Sequence, residues 1–115
     1  MPNQIVRLNQ VFQALSDPTR RAVLKRLARG PQPTLELARP FGMALPSFTQ
    51  HLNMLQSSGL VTSRKSGRVR TYELAPRSLR VAESWMTDQR MLWERRLDQL
   101  DAYLLTMKEN SNDNE

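Results

Sequence analysis

Apolar residues along the 115-residue chain recur first at helical spacing, then alternate briefly, then return to helical spacing. Ile5, Leu8, Val11, Phe12 and Leu15 fall three and four apart and predict a first helix. "SDPTRR" interrupts that pattern: Asp17 can cap a second helix, and Pro18 in its first turn loses no N–H that the helix needs. Val23, Leu24 and Leu27 supply that helix's apolar stripe, and Gly30-Pro31 ends it. Thr34 opens a short third helix, closed by Pro40 and Gly42. A fourth follows in "PSFTQHLNMLQSSGLV", where Phe48, Leu52 and Leu55 point inward, with Leu45 nearby, and Gly59 provides the stop.

The outer face of this fourth helix is unusual. It carries Pro46, Ser47, Thr49, Gln50 and Asn53, with no charge, where an ordinary solvated face would use Glu and Lys. Amide and hydroxyl groups there suit the reading of hydrogen-bonding edges: Gln and Asn can bond bidentately to adenine, and Ser or Thr can serve several bases. Two short helices joined by a tight turn, the second polar outside, describe a helix-turn-helix.

"LVTSRKSGRVRTYEL" changes period. Val61, Val69, Thr71 and Tyr72 favour strands, and Ser66-Gly67 is expected as a two-residue hairpin turn, which would set Lys65 opposite Arg68. From Pro76 the apolar stripe Leu79, Ala82, Met86, Trp93, Leu97, Leu100, Leu104 and Met107, interrupted by Gln89, predicts one helix to Lys108. At 1.5 Å per residue it would run roughly 50 Å, more than a domain of this size needs, so part of the stripe requires a partner. The expected organisation is a DNA-binding part over 1–75, a dimerisation helix over 76–108 and a disordered tail over 109–115.

Charge sharpens this division. Residues 1–80 hold 13 Lys and Arg against 3 Asp and Glu, whereas residues 81–115 hold 4 against 8. Only the first part is built to meet phosphate, and Arg64, Lys65, Arg68 and Arg70 crowd the hairpin. Arg20, Arg21, Lys25 and Arg26 could touch phosphates or simply be hydrated. The chain has no cysteine, which excludes disulfides and thiolate metal sites. His51, the only histidine, leans inward and is expected to be packed or backbone-bonded. No metal, cofactor or catalytic motif is expected. With no apolar run of membrane-spanning length and no visible signal peptide, the expected location is the cytoplasm.

Three stretches, "FQALSDPTRRAVLKRLARG", "ELARPFGMALPSFTQHLNMLQSSGLV" and "SRKSGRVRTYEL", resemble the arsenic-repressor (ArsR/SmtB) family of bacterial transcription regulators from about Phe12 to Leu74. "WMTDQRMLWERRLDQLDAYL" is similar to a branch lacking the usual metal ligands. The resemblance implies a mainly α winged helix-turn-helix with a small β-hairpin, dimerising through its first and long last helices and repressing from a pseudo-palindromic operator in double-stranded DNA. It places base readers at Pro46, Ser47, Thr49, Gln50 and Asn53, and backbone contacts at the wing residues Arg64, Lys65, Arg68 and Arg70. The expected dimer interface comprises Ile5, Leu8, Phe12, Trp85, Trp93, Leu97, Leu100 and Leu104. Relatives commonly carry Ser where Ala44 stands, and often a basic residue where Asn53 stands. Thr34, Leu35, Glu36 and Leu37 occupy the stretch where many relatives hold a cysteine metal site. Two alternatives use the same chain differently: an organic-ligand-responsive sensor, with the effector unknown, and a protein-interaction adaptor using the acidic last helix.

Overall fold

A computed structural model describes residues 4–113, and the side-chain surroundings of residues 7–111. The element order is α1 (Gln4–Leu15), α2 (Pro18–Leu27), β1 (Gln32–Pro33), α3 (Thr34–Ala38), a 3-10 turn (Arg39–Phe41), α4 (Leu45–Ser57), β2 (Val61–Ser66), β3 (Val69–Leu74) and α5 (Pro76–Asp113). The mainly helical architecture with a small wing is therefore the one the sequence pattern predicts.

Met1–Ala82 form one compact unit and Glu83–Glu115 a second. The sequence pattern puts the divide between 75 and 76, but the first turns of α5 belong with the winged part, where Ser78 and Ala82 are buried. The core of this unit collects Val11 and Ala14 from α1, Val23 and Leu27 from α2, Leu37 from α3, and Phe48, Leu52 and Leu55 from α4. Leu60, Val61 and Tyr72 close it from the hairpin side. The predicted inward faces of α2 and α4 are thus the ones that pack, except that Leu45 is 45% exposed.

Local chemistry fixes the joints. Asp17 has an extended backbone, and its carboxylate accepts from Arg20 N at 3.0 Å, capping α2. From the same turn Arg20 reaches back, donating through Nε to Ala14 O at 2.8 Å and through Nη2 to Gln13 O at 2.9 Å. Arg21 Nη1 donates to Leu15 O at 2.7 Å. The last carbonyls of α1, which have no partner within the helix, are thereby satisfied by two cations, as the negative end of a helix favours. At the end of α4, Leu60 N bonds Leu55 O at 3.1 Å around Gly59, whose φ of 80° only glycine adopts readily. A Cβ there would collide with the Ser78 hydroxyl.

Three features differ from the sequence expectation. A third strand exists: β1 pairs antiparallel with β3, giving the order β1-β3-β2. With two residues it is too short for any periodicity to register, and Pro33 is tolerated because the strand lies at an edge. The hairpin register is shifted, with Ser66 opposite Val69 and Lys65 opposite Arg70, so the two loop residues are Gly67 and Arg68. A two-residue loop of this kind needs positive φ at its first central position; Gly67 supplies it at 61°, and no described non-glycine residue has positive φ. Finally, α5 continues past Lys108 to Asp113, where a disordered tail was expected; no Gly or Pro interrupts it, and residues 114 and 115 lie outside the described residues.

Candidate nucleic-acid interface

The outward face of α4 carries the uncharged set together. Pro46, Ser47, Gln50 and Asn53 are exposed and Thr49 is half-buried, while Phe48, Leu52 and Leu55 anchor the opposite face with no exposure. Phe48 is held in turn by the Phe41 ring, 5.3 Å between centroids. Ala44 occupies the cap position of α4 with extended backbone and no side-chain hydrogen bond, as its methyl group dictates.

The wing presents Arg64, Lys65, Arg68 and Arg70, all exposed. Alternation along the ladder divides them. Lys65 and Arg70 are cross-strand partners and share the face that carries Ser63 and Tyr72; Arg64, opposite Thr71, lies on the other face, and Arg68 forms the tip. Two cations directly opposite each other repel. The guanidinium of Arg70 turns aside: its Nη1 donates to Ser63 Oγ at 2.9 Å, and Ser63 Oγ donates to Gln56 Oε1 at 2.9 Å. This chain of hydrogen bonds joins the wing to the last turn of α4. Sequence reasoning missed Gln56 and Ser63; the detectable signal was the alternation along the hairpin, which puts Ser63 on the face of Arg70 and Tyr72 in the expected register as in the observed one.

Between these elements lies an open cleft of about 510 Å³ lined by Asn53, Gln56, Ser57, Arg70 and Tyr72. Tyr72 is 3% exposed, and burial raises its phenol above the ordinary value, an effect the Arg70 charge partly opposes.

The basic residues of α2 separate into roles. Arg20 is committed to the α1–α2 joint and also donates from Nη1 to His51 Nδ1 at 3.2 Å. A guanidinium can only donate, so Nδ1 accepts from Arg20 in the neutral ring, whereas in the protonated ring it faces Asp17 instead. The Asp17 carboxylate stands 3.7 Å from the same nitrogen. His51 is therefore held by side chains of α2 and its cap, rather than by backbone. Its neighbour Asp17 is kept below the usual carboxylate value, chiefly by the Arg20 N–H, against a smaller opposing effect of burial and with help from the nearby His51 and Arg20 charges. Arg21 also serves the joint. Arg26 exchanges long hydrogen bonds with Gln32, and Lys25 is exposed.

Of the expected interface residues, Leu8 and Phe12 are half-buried against the core, and the Ile5 side chain lies outside the described residues. On α5, Trp85, Trp93, Leu97, Leu100 and Leu104 are between 44% and 71% exposed. Trp85, Met86, Trp93 and Leu97 line one apolar groove with the stems of Gln89, Arg90 and Glu94. Among the described residues no group of three or more His, Cys, Asp or Glu could hold a metal ion, and no helix is long and apolar enough to cross a membrane.

Residues 15–64 match a helix-turn-helix domain family. The chain is 40% identical over 89 residues to the HTH-type transcriptional regulator Rv2034 of Mycobacterium tuberculosis, spanning 77% of this chain and 80% of that one. It is 34% identical over 79 residues to the transcriptional repressor SdpR of Bacillus subtilis, spanning 69% and 88%. The crystal structure of an ArsR family transcriptional regulator aligns with a TM-score of 0.77 at 50% identity, covering 82% of this chain and 97% of that one. The solution structure of a homodimeric winged helix-turn-helix DNA-binding domain from Mycobacterium bovis aligns at 0.56 with 29% identity, covering 80% and 81%.

Proposed function

Because this chain belongs to the arsenic-repressor (ArsR/SmtB) family of winged helix-turn-helix transcriptional regulators, we propose that it acts as a homodimeric repressor reading a pseudo-palindromic operator. The observation that carries this reading is the uncharged face of α4, exposed and rigidly backed, beside a wing of four exposed cations. In the major groove, Gln50 and Asn53 offer the donor–acceptor pair that adenine presents, Ser47 and Thr49 offer hydroxyls, and Pro46 offers apolar contact to a thymine methyl. Arg64, Lys65, Arg68 and Arg70 supply sequence-independent affinity at the phosphates.

Two-fold pairing through α1 and α5 buries the apolar face of α5, with Trp85, Trp93, Leu97, Leu100 and Leu104 at its centre and Ile5, Leu8 and Phe12 contributed by α1. It sets two reading helices about one turn of DNA apart, near 34 Å. A dimer seated there represses by covering promoter DNA, in the cytoplasm, without a metal, a cofactor or a catalytic step.

Selection of bound fragments from genomic DNA, followed by footprinting, gives the operator. On it, Gln50→Ala should cost about 1–3 kcal/mol and relax sequence preference. Arg68→Ala should weaken all sequences alike and flatten the salt dependence by about one unit. Equal, sequence-blind losses from both variants would remove α4 from the reading role.

A further inference from the structure

We infer that the cleft between α4 and the wing is the seat of one DNA backbone phosphate, held by Arg70 from the wing and by the polar groups of Gln56 and Ser57 from α4, with the base-reading Asn53 at its edge. The inference rests on the reading just given, and begins from the shape of duplex DNA. A reading helix in the major groove and a wing reaching the neighbouring minor groove lie on either side of a sugar–phosphate strand. That strand must pass through whatever space separates the two elements. Here the space is the open cleft of about 510 Å³, and its lining is mostly polar.

The side chains match the chemistry of a phosphodiester. Arg70 has five N–H donors, and one hydrogen bond to Ser63 leaves most of its fork available. The Gln56 amide and the Ser57 hydroxyl add neutral donors. Gln56 spends its oxygen on the Ser63 hydroxyl, so its NH2 group is the end left to donate. No carboxylate lines the cleft.

The hydrogen-bond chain explains why Arg70, rather than Lys65, takes this position. Lys65 stands opposite Arg70 on the same face, yet only Arg70 is tied through Ser63 to α4. A long cationic side chain otherwise loses considerable rotamer entropy when it is fixed on a ligand. The Ser63–Gln56 link restricts Arg70 before DNA arrives. Arg70 would thus touch the phosphate, whereas Ser63 and Gln56 would be positioning residues.

The test uses the full-length chain and its selected operator duplex, with affinity measured against salt concentration. Arg70→Gln should weaken binding about tenfold and lower the salt slope by about one. Ser63→Val should weaken binding severalfold, while Ser63→Thr, equally branched but hydroxylated, should restore it; a role confined to strand stability would treat the two alike. In a scan of single neutral methylphosphonate linkages, one linkage should weaken wild-type binding yet cost Arg70→Gln nothing further. An unchanged salt slope in Arg70→Gln, or no linkage coupled to Arg70, would overturn the phosphate seat while leaving operator recognition standing. If the wild-type chain bound no duplex at any salt concentration, both readings would fall together.

Discussion

Residues up to Ala82 and residues from Glu83 onward solve the problem of apolar surface in opposite ways. In the first unit, side chains from every helix and both strands of the hairpin reach 3% exposure or less. In the second, a single helix leaves Trp93 71% exposed and Leu97 60% exposed. Isolated exposed apolar residues are ordinary, but a continuous stripe of them on one helix marks a surface that meets another. The winged unit is stabilised by its own contacts; the second helix has an apolar face for which its own unit supplies no cover.

The sharpest way to break this comparison is to charge the stripe. Leu97→Glu with Leu100→Glu should weaken self-association by at least about a thousandfold, since each buried leucine contributes about 1.5–3 kcal/mol and both subunits lose two. Sedimentation should then show monomers that keep their helical circular dichroism; a double variant still dimeric would mean that the stripe is not the pairing surface. Within the winged unit, Phe48→Ala should cost about 3–5 kcal/mol in unfolding, because the ring is wholly buried against Phe41 and its removal leaves a cavity. Denaturant titration at several concentrations of the protein would separate that loss from any change in pairing.

Gly59→Ala should follow, costing about 1–2 kcal/mol for the left-handed backbone alone, with more from the collision with Ser78. The smallest effect concerns Asp17. Its carboxyl titrates below the ordinary 3.8, so the stabilisation it gives is complete above that value and fades as pH falls through the lowered native value. Asp17→Ala should cost about 1 kcal/mol at neutral pH. Asp17→Asn, which keeps a capping oxygen, should preserve more of that stability and flatten the acid limb of the unfolding curve.

What could be read from the sequence was whatever repeats. The stripe Phe48, Leu52 and Leu55 announced both the inward face of α4 and, by subtraction, its uncharged outward face. The stripe on α5 declared itself in the same way. What could not be read depended on single residues acting at a distance. The hairpin register turned on whether Gly67 stood second or first in the loop; the first central position needs a positive φ, which Gly67 has and Ser66 does not. Strand β1 exists through pairing with Tyr72 and Thr71, about forty residues away in sequence. Gln56 looked like one more polar residue until Ser63 was brought against it. Arg20 and Arg21 looked like one more basic pair, although the orphan carbonyls of α1 were close enough in sequence to have suggested their use.

That last feature bears on how genetics would interpret the molecule. Random mutagenesis scored by derepression would return Arg20 alleles, and the side chain's charge would tempt an assignment to operator binding. Yet Arg20 fastens the end of one helix to the start of the next and steadies the imidazole of His51 on α4. Such alleles should be temperature-sensitive and suppressible by compensating changes in the hydrophobic interior, a pattern that a lost operator contact would not produce.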